Sequence, residues 1–325
     1  MRIGVLDDYH RVAHELADWA ALGAEIDFFD KPIAREDLPA ALASYDALVL
    51  MRERTAFPRE LLEQLPHLRL LVTTGMRNAA VDVAYLNERG VIVCGTGIPG
   101  YGAKAMPAAP GLPSTIEVAW ALILALFKRV TYEDRALRQG IWQQGLPTNL
   151  GGATLGLLGL GRLGSLMVAP ARAFGMDVIA WSQNLTAEEA MRRGARYAAS
   201  KQELLEASDV VSIHLVLSDR TRGLIGRSEL QQMQPTAFLV NTSRGPIVDE
   251  RALIDALRTE QIAGAGLDVY DREPLIRDHP LLTLPNAVLT PHLGYVSRAG
   301  LAEMYTQVVE DLAAYLRGEP IRVIA

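Results

Sequence analysis

Several features that would restrict a protein to one kind of function are scarce in this sequence. A single cysteine, Cys94, among 325 residues excludes an internal disulfide and any cysteine-cluster metal site, and it fits a reducing compartment. The formal net charge is −6 and lysine and arginine form no block, which argues against nucleic acid or an anionic membrane as partner. We therefore expect small-molecule ligands and no metal site.

Long hydrophobic runs are also absent. The longest, VAWALILALF at 118–127, has about half of the roughly 20 residues that cross a bilayer. The N-terminus, MRIGVLD, has neither the basic nor the apolar region of a secretion signal. The sequence thus predicts no membrane association and a cytoplasmic location. Because the run is apolar on most sides, we expect a buried helix at a domain or subunit interface, and hence a homodimer.

Short apolar strand patterns alternate with helical stretches in two parts of the chain, 1–95 and 154–290. This rhythm is typical of parallel sheets with crossover helices, and the length suits two domains. Between the two parts lies TGIPGYGAKAMPAAPGLP at 96–113, whose glycines and prolines indicate a connection. A capping box from Ser114 to Glu117 is expected to start the next helix. The predicted fold class is α/β with two doubly wound parallel-sheet domains.

The segment GLGRLG at 159–164 follows the apolar strand pattern TLGLL and precedes a helical pattern. In that setting Gly159 allows a tight turn, Gly161 lets a pyrophosphate approach the backbone, and Gly164 allows close packing of the helix. The free amides at the start of the helix favour an anion. The sequence therefore predicts a dinucleotide-binding turn.

The choice between NADP and NAD depends on the next strand pattern, DVIAW, which ends without the acidic residue that binds the ribose of NAD. Ser182, Gln183 and Asn184 follow instead. Their hydroxyl and amides, helped by Arg162, are predicted to bind a 2′-phosphate, so we favour NADP. NAD stays open because no arginine or lysine lies between 182 and 191.

Three charged residues follow further strand patterns: Arg244 in VNTSRGPIVDE, Glu273 in GLDVYDREPL, and His292 in TPHLGY. The carboxyl ends of parallel strands line one crevice, so these groups are expected to converge. An arginine fork binds a carboxylate, an imidazole exchanges protons near neutral pH, and a nearby glutamate orients it. His279, in RDHPLL, competes for the proton-transfer role, but its proline-bounded loop favours a structural role.

In the order GLGRLG, NTSRG with VDE, GAGLDVYDREPL and TPHLG, the chain resembles the D-isomer-specific 2-hydroxyacid dehydrogenases over nearly its whole length. The resemblance implies a Rossmann cofactor domain inserted in a flavodoxin-like substrate domain. We predict 1–98 and 293–325 as the substrate-binding domain, 99–113 as the linker and 114–292 as the dinucleotide-binding domain. The amphipathic stretch at 297–316 then returns to the first domain.

The resemblance also implies roles for individual residues. Arg244, Glu273 and His292 would be catalytic, with His292 as general acid/base and Arg244 anchoring a 2-oxo or D-2-hydroxy acid such as glyoxylate or hydroxypyruvate. It implies Gly75 and Met76 as substrate-binding residues of the first domain. Arg52 is added because it follows a strand end of that domain, although a solvated surface arginine is the alternative. The expected cofactor-binding residues are Gly159, Gly161, Arg162, Leu163, Gly164, Ser182, Gln183, Asn184, His214, Thr242 and Asp268. Val216 departs from the family pattern, which usually has proline there.

Two other functions stay open at this point. The same site could reduce the C=N bond of a 2-imino acid with NADPH, since His292 could equally protonate nitrogen. Some family relatives are instead nucleotide-sensing corepressors or binding proteins. The intact set of Arg244, Glu273 and His292 argues against that role, and the acidic composition offers no DNA-binding surface.

Overall fold

The computed structural model describes residues 1–97 and 112–324. They form two compact units: unit 1 contains 1–97 and 297–324, and unit 2 contains 112–296. The predicted linker at 99–113 lies outside the described residues, apart from 112 and 113. Unit 2 is thus inserted between two segments of unit 1.

Unit 1 is built on a five-stranded sheet, parallel throughout, with the strand order β2-β1-β3-β4-β5. This order is that of flavodoxin-like folds. Its strands are β1 (Arg2–Val5), β2 (Glu25–Phe28), β3 (Ala47–Leu50), β4 (Leu70–Thr73) and β5 (Ile92–Gly95), and its crossover helices are α1 (Ala13–Leu16), α2 (Leu38–Leu42), α3 (Arg59–Leu62) and α4 (Val83–Glu88), with a 3₁₀ helix at Trp19–Leu22.

Unit 2 contains a seven-stranded parallel sheet. Its strands are β6 (Thr154–Leu158), β7 (Asp177–Trp181), β8 (Arg196–Tyr197), β9 (Val210–Ile213), β10 (Phe238–Asn241), β11 (Gly264–Leu267) and β12 (Ala287–Leu289). Its helices are α5 (Ser114–Phe127), α6 (Val130–Arg138), α7 (Arg162–Leu166), α8 (Val168–Ala173), α9 (Ala187–Arg192), α10 (Lys201–Ala207), α11 (Arg227–Gln232) and α12 (Glu250–Arg258), with 3₁₀ helices at Gly245–Ile247 and Pro280–Thr283. The order β12-β11-β10-β9-β6-β7-β8 is a doubly wound Rossmann order with one further strand.

The central strands are continuously apolar because helices cover both faces of each sheet. Strands β3 and β4, with the sequences ALVL and LLVT, are buried at every position. The last helix of the described residues, α13 (Arg298–Leu316), packs with α1, β4 and β5 of unit 1. The prediction of an α/β fold with two doubly wound sheets is confirmed.

Some local predictions were wrong. Ser114 is the first residue of α5 and does not cap it, because Pro113 holds the N-cap position and no side-chain cap bond forms. The helix expected after the glycine turn divides at Met167 into α7 and α8. The apolar helix α5 packs on β10, β11 and β12 within unit 2, and its place at a domain or subunit interface stays a prediction. The two-residue strand β8 carries too little apolar pattern to be recognised from sequence.

In the described part of the chain, none of the helices combines the length and apolar content needed to span a membrane. Within the same residues, no three His, Cys, Asp or Glu side chains cluster closely enough to hold a metal ion.

Candidate active site

The three charged residues follow three adjacent strands of unit 2. Arg244 lies in the loop after β10, Glu273 in the loop after β11 and His292 in the loop after β12. These strands are parallel, so their carboxyl ends lie along one edge of the sheet. Strand order alone therefore places the three loops side by side.

His292 and Glu273 are in direct contact. The Nδ1 atom of His292 lies 2.6 Å from Oε2 of Glu273, and both side chains are partly buried. The ring of Tyr295 meets the imidazole edge-on, with 5.4 Å between centroids. Among residues 1–97 and 112–324, no hydrogen-bond partner reaches Nε2 of His292. The imidazole is thus oriented through one nitrogen, and the other is available for proton exchange.

The backbone of His292 adopts a conformation that side chains other than glycine rarely adopt, with φ at +54°. Asp268, fully buried at the end of β11, holds the loop in this state. Its carboxylate accepts hydrogen bonds from Thr290 Oγ1 at 2.6 Å, Leu293 N at 2.7 Å and Gly294 N at 2.8 Å. Asp268 therefore anchors the histidine loop on both sides of His292, a task that the sequence did not reveal.

Tyr270 connects the glutamate loop to the histidine loop. Its backbone N–H donates to Glu273 Oε1 at 2.9 Å, and its hydroxyl lies 3.1 Å from Leu267 O and 2.9 Å from Thr290 O. Gly245, next to Arg244, packs so closely on this turn that a Cβ there would lie 2.0 Å from the carbonyl carbon of Tyr270. The three loops therefore form one packed structure, and Tyr270 is a positioning residue that sequence reasoning missed.

The glycine turn has the geometry expected of a dinucleotide site. Gly159 has φ at +98°, and a Cβ there would lie 2.7 Å from His214 O. A Cβ at Gly164 would lie 2.0 Å from Gly159 O, so only glycine permits this packing. A Cβ at Gly161 would meet no atom of the described residues within 4 Å. The backbone at Gly161 is consequently open to approach by a ligand.

Two polar side chains lie near this turn or at the neighbouring strand ends. His214 follows β9, and its Nε2 lies 2.9 Å from Ser212 Oγ, while burial lowers the pKa of the imidazole to about 4. His214 is therefore uncharged at neutral pH. Thr242 follows β10, and its buried Oγ1 has no hydrogen-bond partner within the described ranges. A buried hydroxyl of this kind needs a partner, which a bound cofactor could supply.

A family profile for the D-isomer specific 2-hydroxyacid dehydrogenase, NAD binding domain, matches residues 120–294, more than half of the chain. This chain belongs to the D-isomer-specific 2-hydroxyacid dehydrogenase family. It is similar to the glyoxylate reductase of Aeropyrum pernix, at 39% identity over 91% of this chain and 88% of the relative. It is also similar to the hydroxypyruvate reductase of Blautia hydrogenotrophica, at 30% identity over 100% of this chain and 99% of the relative.

The structural relatives agree with this assignment. The crystal structure of a phosphoglycerate oxidoreductase from Vibrio cholerae superposes with a TM-score of 0.89 and 33% identity, covering 98% of this chain and 99% of that chain. The protein is thus an NAD(P)-dependent D-2-hydroxyacid dehydrogenase. Its glycine turn, the open backbone at Gly161 and the unpartnered hydroxyl of Thr242 fit this dinucleotide.

The substrate-side residues predicted for this dehydrogenase lie together in unit 1. Arg52 follows β3 with φ at +54°, and its backbone N–H donates to Thr74 Oγ1 at 2.9 Å. Its Nη1 donates to Thr74 O at 3.3 Å, and a Cβ on Gly75 would lie 2.8 Å from the same nitrogen. Met76 is exposed. Arg52 thus packs against the loop that contains Gly75 and Met76, and its role toward substrate stays a prediction.

Proposed function

We propose that this dehydrogenase reduces a small 2-oxo acid of the glyoxylate or hydroxypyruvate type, with His292 as general acid/base. The observation that carries the proposal is the 2.6 Å contact between His292 Nδ1 and Glu273 Oε2, which orients an imidazole whose Nε2 is available. Relatives named glyoxylate reductase and hydroxypyruvate reductase support this substrate class.

The glycine turn and Thr242 would hold NAD(P)H, which when bound would supply the hydride for the carbonyl carbon. His292 donates the proton on Nε2 to the carbonyl oxygen, and in the oxidation direction the same nitrogen accepts it. Glu273 accepts the Nδ1–H hydrogen bond, which stabilises the charged ring before donation. Arg244 binds the substrate carboxylate bidentately and stabilises negative charge on the reacting oxygen. Asp268 and Tyr270 keep the two loops in position.

The proposed cofactor preference is NADP over NAD. Strand β7 ends at Trp181, and Ser182, Gln183 and Asn184 follow it without a carboxylate. A carboxylate there would repel a 2′-phosphate, so its absence supports NADP. We further propose that unit 2 binds the nucleotide, that unit 1 binds the substrate, and that the enzyme is a homodimer, for which light scattering gives the test.

The function is tested by following absorbance of the reduced nicotinamide with NADPH or NADH against a panel of 2-oxo acids, each with and without ammonium. We expect consumption with glyoxylate or hydroxypyruvate, higher kcat/KM with NADPH, and no need for ammonium. Equal kcat/KM for NADH would contradict the cofactor preference.

Two results would contradict the proposal and favour a different function. Consumption that requires ammonium would identify a reductase of 2-imino acids, because His292 would then protonate nitrogen. Nucleotide binding without consumption of any oxo acid would favour a binding protein. The His292–Glu273 contact supports the oxidoreductase over the latter, since a sensor needs no oriented proton donor.

A further inference from the structure

An arginine outside the predicted cofactor set reaches the glycine turn of unit 2. The Nη1 atom of Arg193 donates to the backbone oxygen of Leu160 at 2.8 Å, and Leu160 lies between Gly159 and Gly161. The Arg193 side chain is partly buried, with 30% of its surface exposed. Arg193 lies two residues beyond the segment 182–191, in which the sequence has no arginine or lysine.

Arg193 follows the short helix α9 and precedes strand β8. This strand pairs with β7 in parallel, through Arg196 beside Ile179 and Tyr197 beside Ala180. Residues before β8 therefore lie towards the amino end of β7, and the long side chain of Arg193 extends back to Leu160 O. Arg172 of α8 fixes the end of this segment by donating from Nη2 to Gly194 O at 2.8 Å.

The glycine turn, which the Arg193 guanidinium contacts, lies beside the end of β7, where the ribose of adenosine is recognised in this type of fold. The backbone N–H of Gly159 donates to Trp181 O at 2.9 Å, which ties the glycine turn to the end of β7. The guanidinium at Leu160 therefore lies next to the strand end that normally carries the acidic residue for NAD. Here Ser182, Gln183 and Asn184 occupy that position.

The local charge is positive although Glu189 is near. Glu189 accepts hydrogen bonds from Arg192 and from Nε of Arg193, and these two guanidinium groups lower its pKa. One carboxylate thus balances two cations. Of the five N–H groups of a guanidinium, Arg193 uses one on Leu160 and one on Glu189, and the others have no partner in the described part of unit 2. Those N–H groups form a fork that suits a phosphate.

We propose that Arg193 is the specificity-determining residue that binds the 2′-phosphate of NADP, with Glu189 holding its guanidinium in place. This inference depends on only one part of the proposed function, the preference for NADP over NAD. It adds a cation to Ser182, Gln183 and Asn184, which could otherwise offer only neutral donors.

The test measures fragments of the cofactor that carry no nicotinamide. Calorimetry at fixed ionic strength gives the affinity of the full-length enzyme for adenosine 2′,5′-bisphosphate and for 5′-AMP, which differ only in the 2′-phosphate. We expect Arg193→Ala to weaken binding of the bisphosphate about tenfold, as for a hydrogen bond to a charged group, and to change binding of 5′-AMP less than about twofold. Arg193→Lys keeps the charge without the fork and should lie between.

Arg192→Ala is the matched control. Arg192 pairs with the same Glu189 but is 69% exposed and makes no bond to the glycine turn. This variant should keep the wild-type ratio of the two affinities within about twofold, as expected for an exposed pair. The thermal midpoint of each variant reports whether the α9 turn remains folded.

Three results would overturn the assignment. Equal weakening of both fragments by Arg193→Ala would make the residue a support of the turn. An equal effect of Arg192→Ala on these affinities would indicate that the overall positive charge of this region, and not the Arg193 guanidinium, favours the bisphosphate. Tighter binding of 5′-AMP than of the bisphosphate by the wild type would assign the site to NAD. Failure to consume any 2-oxo acid would contradict the proposed function but leave these affinities unaffected.

Discussion

Unit 2 contains two histidine–glutamate pairs that differ in how the imidazole is used. In one pair, His292 Nδ1 lies 2.6 Å from Glu273; in the other, His279 Nε2 lies 3.1 Å from Glu250. The side chains of the second pair are less exposed, at 14% and 20% against 24% and 28%. Chemically the two pairs are the same, so their surroundings decide which one can react.

Both ring nitrogens of His279 are engaged in hydrogen bonds. Its Nδ1 accepts from Leu281 N at 3.4 Å, capping the 3₁₀ helix at Pro280–Thr283, while φ has an ordinary value of −62°. His292 has φ at +54° and uses only one ring nitrogen. A histidine with both nitrogens engaged is structural, whereas one held in a strained backbone with a nitrogen available is suited to proton transfer.

The strongest test of this contrast between the two pairs is to replace His292 by alanine. We expect His292→Ala to lower kcat about a thousandfold, or ~4 kcal/mol, because proton transfer to the substrate oxygen is lost. Steady-state kinetics gives kcat, and titration with NADPH should give unchanged affinity. A His292 variant with more than a tenth of wild-type kcat would contradict the assignment.

A third histidine, His214, makes the stability of the protein depend on pH. The pKa of His214 is about 4 in the folded protein, below its usual value, so the unfolded chain binds the proton first as pH falls. Its contribution to stability is present above about pH 6.5 and is lost progressively towards pH 4, by at most about 3 kcal/mol.

Urea unfolding at pH 7 and pH 5 measures this loss. Other carboxyl groups titrate in the same range, so the comparison is between wild type and His214→Asn. The variant should lose less stability between the two pH values. Identical losses in the two proteins would show that His214 is not buried in its neutral form.

The two glutamates provide the next test. Glu273→Gln keeps the size of the side chain but removes the charge that stabilises the imidazolium, and kcat should fall about ten- to a hundredfold. Glu250→Gln is the matched change in the structural pair and should leave kcat within about twofold, because its histidine contacts no substrate. Similar losses of kcat in both variants would remove the distinction between the pairs.

His279→Ala should instead affect folding. Loss of its bonds to Glu250 and Leu281 should lower the free energy of unfolding by about 1 to 2 kcal/mol while kcat stays within about twofold. Chemical denaturation monitored by tryptophan fluorescence measures the first quantity. A kcat as low as that of His292→Ala would transfer the proton-exchange role to His279.

The smallest expected effect belongs to Tyr270. Tyr270→Phe removes the hydroxyl bonded to Leu267 O and Thr290 O, which should cost about 1 kcal/mol of stability and lower kcat a few-fold with KM unchanged. The pH profile of kcat should shift, since Glu273 and His292 lose part of their alignment. A normal pH profile with reduced stability would assign Tyr270 a purely structural role.

The sequence predicted much of the fold because strand and helix patterns are local. The repeated apolar runs from RIGV to AVLT correspond to eleven of the twelve strands found in residues 1–97 and 112–324, and β8 was missed because two residues carry no periodicity. The capping box at Ser114 failed for a similar reason: Pro113 competes for the same position, and pattern alone does not rank the two.

By itself, the amino-acid sequence determined the two-sheet architecture, the glycine turn and the placement of Arg244, Glu273 and His292 after neighbouring strands, since these follow from periodicity and motif order. Only the tertiary structure decided that Glu250 contacts His279, that Asp268 anchors the histidine loop, and that Arg193 reaches Leu160. Each of these is a distance between groups that lie tens of residues apart in the chain. Such distances depend on strand order and register, which bring the groups together only once the sheet has formed.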